Sequence, residues 1–207
     1  MAEISEKETL VFDVSRMEWE MFQKVYNTGG RASCQDDPDT FFRMRMSQWL
    51  VYSEGLLRSY QADCQKAIAD GKNLIFEKYA RMMETTYPEE YVKLIPYLPV
   101  IAEREVLKIE EIVQIHLKWD KEMLEKYPHI RAQGRALHTE EDNVSEGSSM
   151  ESYLRAELKT YSEKTCDMLY QETVEAWKKG DNLLQQIIAN EIAFYGYASL
   201  EDAELKM

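Results

Sequence analysis

The sequence predicts an all-α protein of about six or seven helices, and three observations support this fold class. Residues that favour helices, such as Glu, Lys, Leu, Ala, Met and Gln, are abundant, whereas the 207 residues include only eight glycines and five prolines. Apolar residues recur at three- and four-residue intervals, as on one face of a helix. No segment shows the alternation of a strand or a hairpin signal. With 44% hydrophobic residues, the chain can bury one sizeable core, and we predict a single helical domain over residues 1–207.

The first half of the chain is predicted to contain three long helices, over residues 8–26, 38–69 and 74–85. The second of them has a clear beginning, because Asp37 caps a helix well and Pro38 suits its first turn. Gly71 follows its end, as glycine often does. Prolines between the third helix and residue 100 then break the helical pattern into turns or short helices.

The second half is predicted to contain three more helices, over residues 102–127, 150–179 and 182–195. The first of these is the longest, and Pro128 ends it. His116 lies within its apolar stripe, which indicates a buried histidine with satisfied hydrogen bonds rather than a ligand-binding group. A polar connection follows, and its residues 139–149 are predicted to be flexible. Ser148 or Ser149 can cap the next helix.

The two halves, about residues 8–95 and 102–204, share an order of motifs that indicates an internal duplication. Tyr52-Ser53-Glu54 precedes Gly71-Lys72-Asn73-Leu74, and Tyr161-Ser162-Glu163 precedes Gly180-Asp181-Asn182-Leu183 at the same separation. Repeats of this length usually form two supersecondary units that share a core. We therefore expect two related helical lobes within one compact domain.

The duplication also relates positions that are candidates for chemistry. Trp19 and Trp119 each lie in a helix that precedes a Gly-Arg-Ala sequence, which begins at Gly30 in the first half and at Gly134 in the second. The same comparison relates Cys34 to His138 and Gln48 to Glu157. We expect the two Gly-Arg-Ala loops to lie on either side of a common cleft.

The composition also limits the partners and the environment. A formal charge of -13 argues against nucleic acid, since phosphate contacts need a concentrated cationic face. No apolar run approaches membrane-spanning length, so we expect no membrane partner. The three cysteines are too few and too scattered for a disulfide framework. The N-terminal residues lack the pattern of a signal peptide, and we expect a cytoplasmic protein.

The connection from Asn27 to Asp37 carries an unusual set of side chains for a loop between helices. Its glycines can present backbone N–H groups, and Arg31 can bind a carboxylate or phosphate through two parallel hydrogen bonds. Gln35 and Asp36 add an amide and a carboxylate. Because of its acidic residues, this loop suits a ligand with both amine and acid groups. The simpler alternative is that the glycines turn the chain and that Arg31 pairs with a neighbouring aspartate.

Charged side chains beside apolar helix faces form the rest of the predicted binding site. The predicted acid-binding groups are Arg31, Arg45, Arg81 and Arg155. Glu18, Asp36 or Glu157 would hold an amine or act as a base, and the remaining ligand contacts would come from Gln48, Lys78, Tyr79 and Tyr161. Glu18 lies in an apolar stripe and needs a partner unless it reaches water at the edge of that stripe. The alternative for the arginines is ordinary pairing along helix surfaces, as between Glu77 and Arg81.

Two classes of function remain open from these residues. The first is a small-molecule pocket for a polar, partly anionic metabolite, in which catalysis would use Cys34 as nucleophile, with His138 as its base if the two side chains meet. The second is a non-enzymatic helical interaction or scaffold module. The dispersed histidines predict no metal site. The sequence identifies neither a cofactor nor an oligomeric state.

With these residues assembled, the chain resembles a family of uncharacterised helical proteins from bacteria and fungi, known as a domain of unknown function. The residues that carry the resemblance are Gly29-Gly30-Arg31-Ala32-Ser33-Cys34-Gln35-Asp36-Asp37, Glu77-Lys78-Tyr79-Ala80-Arg81-Met82-Met83, Tyr153-Leu154-Arg155-Ala156-Glu157, Thr160-Tyr161-Ser162 and Tyr195-Gly196-Tyr197-Ala198-Ser199-Leu200. The resemblance implies no activity. Some relatives carry this region beside a nucleotidyltransferase-like domain, which hints at nucleotide or amino-sugar chemistry, and this chain contains no such domain.

Overall fold

The computed structural model describes residues 5–26, 30–135, 137 and 148–207, and within these ranges the protein is helical without strands. The predicted fold class is therefore confirmed, but the predicted number of helices is wrong, because the described residues form eleven α-helices. Their bounds are α1 Glu6–Phe22, α2 Pro38–Trp49, α3 Glu54–Ala69, α4 Leu74–Thr86, α5 Pro88–Leu94, α6 Glu103–Lys126, α7 Pro128–Ala132, α8 Met150–Leu158, α9 Glu163–Lys179, α10 Leu183–Phe194 and α11 Leu200–Lys206. Short 3-10 turns occupy Ser33–Asp36 and Ile95–Tyr97.

Serine caps account for most of the difference between the predicted and the observed helices. The predicted helix 38–69 breaks before Ser53, whose hydroxyl accepts a hydrogen bond from the Leu56 amide at 3.2 Å. The predicted helix 150–179 breaks in the same way before Ser162, which caps α9. Serine at an N-cap satisfies an amide that the helix leaves unpaired. The other additional helices are short ones that begin near prolines or a serine, α5, α7 and α11.

The two halves of the chain interlock around one core. In the first half α1 packs against α2, α3 and α4, and in the second half α6 packs against α8, α9 and α10. Helices also cross between the halves, since α2 packs on α10, α4 on α8 and α3 on α9. The buried apolar side chains form one continuous cluster that includes both halves. Among the described helices, none is both long enough and apolar enough to cross a bilayer.

One pair of hydrogen bonds between the halves is reciprocal. The amide of Ser53 donates to Glu172 at 3.1 Å, and the amide of Ser162, which is related to Ser53 by the sequence repeat, donates to Asp63 at 3.1 Å. Asp63 and Glu172 occupy related positions on α3 and α9. In a two-fold interface, a contact between two residues is repeated between their counterparts, and these two hydrogen bonds follow that pattern. The pattern supports the predicted duplication, which stays a prediction.

The structure aligns the first helices of the two halves, α1 and α6, in a different register from the one expected from the sequence, which paired Trp19 with Trp119. The side-chain amide of Asn73 donates to the Met21 carbonyl at 2.8 Å, and that of Asn182 donates to the Trp119 carbonyl at 3.1 Å. These contacts relate Met21 to Trp119. In this alignment seven of the eight buried positions of α1 coincide with buried positions of α6, in the order Val11, Val14, Ser15, Met17, Glu18, Met21 and Phe22 against Ile109, Ile112, Val113, Ile115, His116, Trp119 and Asp120. Leu10 of α1 and Leu117 of α6 have no buried counterpart.

Candidate functional site

A buried cluster of charged side chains lies where the two halves meet, and Arg45 is at its centre. Glu18, Arg45, Lys78 and Glu157 are each less than a tenth exposed. The Arg45 guanidinium donates to Glu18 at 2.8 Å from Nε and to Glu157 at 3.2 Å from Nη1. The residue therefore connects a helix of the first half to a helix of the second. Buried charges are tolerated when they are paired and hydrogen-bonded in this way.

Glu18 is completely enclosed and fully hydrogen-bonded. Besides Arg45, which donates to both of its oxygens, Trp49 Nε1 donates to Oε2 at 3.2 Å and the Tyr60 hydroxyl donates to Oε1 at 3.0 Å. Burial raises the pKa of Tyr60 well above its usual value, so its hydroxyl remains a donor. The alternative that Glu18 lies at the edge of its apolar stripe is wrong. With all four lone-pair directions occupied, Glu18 has no free site for a ligand amine.

Glu157 is the second carboxylate of the cluster, and it is also saturated. Lys78 and Arg45 donate to it, and so do Gln48 Nε2 at 3.1 Å and the Tyr161 hydroxyl at 3.0 Å. Burial by itself would raise the pKa of Glu157, but Arg45 and Lys78 hold that pKa well below the usual range. Two cations and two anions thus form a neutral network, and neither carboxylate is suited to act as a base at neutral pH.

A cavity of about 820 Å³ borders this cluster. Its walls come from α2, α6, α8 and α10, and they are mostly aliphatic and aromatic: Met44, Trp49, Tyr52, Ile130, Met150, Tyr153, Leu154, Leu158, Tyr161, Leu169, Leu184, Ile187, Ile188, Ile192, Tyr195 and Tyr197. The lining includes exposed residues such as Arg135 and Tyr195 as well as fully buried ones such as Trp49 and Leu158. The cavity therefore reaches from the surface to the buried charged cluster.

His116 lies in the wall of this cavity without a hydrogen-bond partner. Its side chain is 3% exposed, and neither ring nitrogen has a partner among the described residues. Burial lowers the pKa of His116 to about 4, so the imidazole is neutral at pH 7 and offers one donor and one acceptor. The ring packs edge-on against Trp119 with centroids 4.9 Å apart. The sequence expectation of a histidine with satisfied hydrogen bonds is wrong.

Glu191 is a second polar group in the wall without a partner among the described residues. It lies on α10 between Ile188 and Ile192, is partly buried, and has neither an ion pair nor a side-chain hydrogen bond. Burial raises the pKa of Glu191, and no charged neighbour offsets that effect. The other acids in the lining are Asp120, which is paired with Arg131, and Glu157, which is paired with Arg45 and Lys78.

In the described part of the loop after α1, residues 30–37, the polar side chains bind one another and the end of α1. Gln35, 1% exposed, donates to the carbonyls of Phe22 and Val25 at 2.8 and 3.0 Å, and so satisfies the end of α1. Arg31 pairs with Asp36 at 2.7 Å and donates to the Gln35 carbonyl. Gly30 has φ +96°, a conformation that glycine adopts at least cost. The loop thus has the simpler of its two predicted roles, since Arg31 and Asp36 pair with each other and Gln35 supports a helix end.

The four predicted arginines do not converge. Arg31 lies on the exposed loop, and Arg45 belongs to the buried cluster. Arg81 pairs with Glu77 at 2.8 Å, and Arg155 pairs with Glu110 at 2.6 Å. Arg81 and Arg155 share a separate cleft of about 370 Å³. Because each arginine already has an acidic partner, the predicted common site for an acid group is not formed.

The remaining predicted residues lie apart from the cavity or outside the description. Tyr79 stacks on Phe22 with ring centroids 5.9 Å apart, and burial raises its pKa. Cys34 is exposed on the 3-10 turn and is not among the residues that line the cavity. His138 and Gly29, like most of the segment predicted to be flexible, lie outside the described residues. Within the described ranges, no three His, Cys, Asp or Glu side chains group as a metal site would require.

Sequence reasoning missed the two unpartnered groups, although one of them left a signal. Glu191 is the sole charged residue of the apolar helix Leu183–Phe194, and a lone carboxylate in such a helix needs an explanation. His116 gave no comparable signal, since a histidine in an apolar stripe usually finds a partner in the core. Only the three-dimensional arrangement shows that it does not.

A comparison with protein-family models finds a match that covers nearly the whole chain. Residues 8–205 match the family model described as a protein of unknown function, DUF4125. The chain belongs to the DUF4125 family. The resemblance to an uncharacterised domain family is thereby confirmed, and the DUF4125 match covers nearly the whole chain without singling out the Gly-Gly-Arg loop. No curated protein and no solved structure matches this DUF4125 protein.

Proposed function

We propose that this protein binds a small molecule with a largely apolar body in the cavity between α2, α6, α8 and α10. The observation that carries the proposal is the imidazole of His116, which is buried in the cavity wall with two unpartnered nitrogens. An unsatisfied buried polar group costs about 1–3 kcal/mol. A ligand that hydrogen-bonds to His116 would recover that cost.

The size and lining of the cavity support the same conclusion. Its volume of about 820 Å³ falls within the range of small-molecule sites, which are typically apolar with a few convergent polar groups. Protein cores are close-packed, and voids larger than a water molecule are few. A space of this size with aromatic and aliphatic walls therefore suits an occupant that brings its own apolar surface.

The polar, partly anionic metabolite expected from the sequence fits this site less well. Arg45, the predicted acid-binding group nearest the cavity, is neutralised by Glu18 and Glu157. The predicted bases Glu18 and Glu157 are saturated, and neither the predicted base Asp36 nor the predicted nucleophile Cys34 lines the cavity. The proposal is therefore binding, with no catalytic step assigned.

An interaction module is the second candidate, and one observation favours it. Around α5 and the start of α6, large apolar side chains are exposed, including Tyr97 at 84%, Val100 at 97% and Leu107 at 67%. Clustered exposed apolar residues often mark interaction surfaces. This surface is distinct from the cavity, so the two candidates can be tested separately.

A thermal-shift titration with an uncharged apolar probe, 1-octanol, tests the cavity directly. We expect the unfolding temperature to rise with probe concentration, because a ligand that binds the native state stabilises it by about 2.7 kcal/mol at 100 times its Kd. Met44→Trp, at the exposed edge of the cavity, should reduce the shift because the larger side chain takes up part of the space.

Two matched controls accompany this titration. Arg31→Ala and Val100→Trp alter residues outside the cavity and should keep the full shift. A shift that Met44→Trp leaves unchanged, or a shift produced by phosphorylated metabolites but by no apolar probe, would contradict the proposal. Circular dichroism of each variant shows whether it has folded.

A further inference from the structure

Glu191 distinguishes this cavity from a purely apolar one. Its carboxylate is partly buried among Ile187, Ile188 and Ile192, and it has no cation beside it within the described residues. An unpaired carboxylate in apolar surroundings is costly, and it is retained in sites where a ligand supplies the missing charge.

The other charged groups of the cavity already have partners. Arg45 is bound by two carboxylates, and Arg131 is paired with Asp120. Arg135 donates hydrogen bonds to the carbonyl oxygen and the hydroxyl oxygen of Ser148. None of these cations has an ion pair with Glu191. An anionic head group at this position would be repelled by the like charge of the Glu191 carboxylate.

Aromatic rings in the same lining favour a cationic head group. Trp49, Tyr52, Tyr195 and Tyr197 all contribute to the wall. The face of an aromatic ring attracts a cation, and the attraction strengthens where water is excluded. The Tyr195 ring already has the guanidinium of Arg43 at 4.8 Å from its centroid. A carboxylate in a lining that also contains several aromatic rings is a favourable setting for an ammonium group that is attached to an apolar body.

We infer that the ligand is an amphipathic amine, whose protonated nitrogen is bound by Glu191 and whose apolar body fills the cavity. This inference rests on the proposed cavity-binding function. His116 remains available to hydrogen-bond a second polar group of such a ligand. The ligand class is thereby narrowed from apolar small molecules in general to amines with an apolar body.

Three probes of equal length separate head-group chemistry from apolar fit: n-octylamine, 1-octanol and octanoate, each below its micelle concentration. Isothermal titration at pH 7 should give an affinity for the amine at least tenfold higher than for the alcohol, with octanoate weakest. Glu191→Gln should reduce the amine affinity to that of the alcohol and leave the alcohol affinity unchanged. The matched control is Glu125→Gln, an exposed residue at the end of α6 that is outside the lining, and it should bind all three probes as the unaltered protein does.

The Glu191→Gln variant can also be tested without a ligand, through its thermal stability. Because Glu191 is desolvated without compensation, Glu191→Gln should fold and unfold at the same or a higher temperature than the unaltered protein. Equal affinity for amine and alcohol, or tighter binding of octanoate, would overturn the amine assignment and leave the cavity proposal standing. No binding of any of the three probes would overturn both.

Discussion

Under the predicted duplication, Glu18 and His116 occupy related positions in the two halves, and their surroundings differ in kind. Glu18 receives hydrogen bonds from Arg45, Trp49 and Tyr60. Under the proposed duplication, the counterparts of these three residues are Leu154, Leu158 and Leu169, which line the cavity together with His116. The first half thus supplies its buried polar residue with partners, and the second half does not.

This difference shows how one helical layout can give either a closed core or an open site. In the first half, charge pairing fills the space between helices and fixes their positions. In the second half, aliphatic side chains at the related positions leave a space and an unsatisfied imidazole. A buried polar group without partners weakens the fold, and such a cost is typical of positions that are kept for binding.

The largest expected effect lies in the first half. Glu18→Gln removes one of the two carboxylates that compensate Arg45 and should lower the free energy of unfolding by about 3–5 kcal/mol, since breaking a buried ion pair leaves an uncompensated charge. Urea denaturation at pH 7 measures the loss. Glu20→Gln, which affects an exposed pair with Arg16, should change stability by less than about 1 kcal/mol. A similar small change for Glu18→Gln would show that the two halves do not differ as described.

The second effect is a pH dependence that comes from His116. Its pKa is lowered from 6.5 to about 4 in the folded protein, so the unfolded chain binds a proton first as the pH falls. The stability of the folded state should be unaffected by this group above pH 6.5, and should fall by about 3 kcal/mol between pH 6.5 and 4, at about 1.4 kcal/mol per pH unit.

His116→Leu should remove this loss, and subtracting its pH–stability curve from that of the unaltered protein isolates the effect. The other histidines are common to both proteins and cancel. At pH 7 the variant should be the more stable of the two, by about 1–3 kcal/mol, because it no longer buries unpaired nitrogens. Parallel curves for the two proteins would mean that His116 has a partner in solution.

The smallest effect tests the similarity of the halves rather than their difference. Asp63→Asn and Glu172→Gln each weaken one of the reciprocal bonds to the serine caps. Because the two amide contacts have the same length, 3.1 Å, and are both solvent-exposed, each substitution should cost about 1 kcal/mol, and the two costs should agree. Thermal unfolding of both variants measures this, and a large cost for one substitution alone would argue against the two-fold relation.

The sequence could predict those features that are set by residues close together in the chain. Periodicity placed the long helices to within a few residues, since each helix carries its own apolar face. The breaks before Ser53 and Ser162 were missed, because a serine inside a continuous apolar pattern can lie within a helix or cap a new one. The pairing of Arg31 with Asp36 was foreseen as an alternative, since both residues lie in one short loop.

The site was harder to predict because its residues are distant in sequence. Arg45 and Glu157 were both selected as candidates, but nothing in their spacing shows that they bind each other. The absence of partners for His116 could not be read from its neighbours in the chain, because partners in a core come from other helices.

The amino-acid sequence by itself determined the helical class, the approximate positions of the long helical segments and the shared order of motifs in the two halves, since these follow from local propensity and from repeated motifs. Only the tertiary structure decided which charges cancel, where a cavity remains and which polar groups are left unpaired. These properties depend on the distances between helices, and packing sets those distances only when the whole core has assembled.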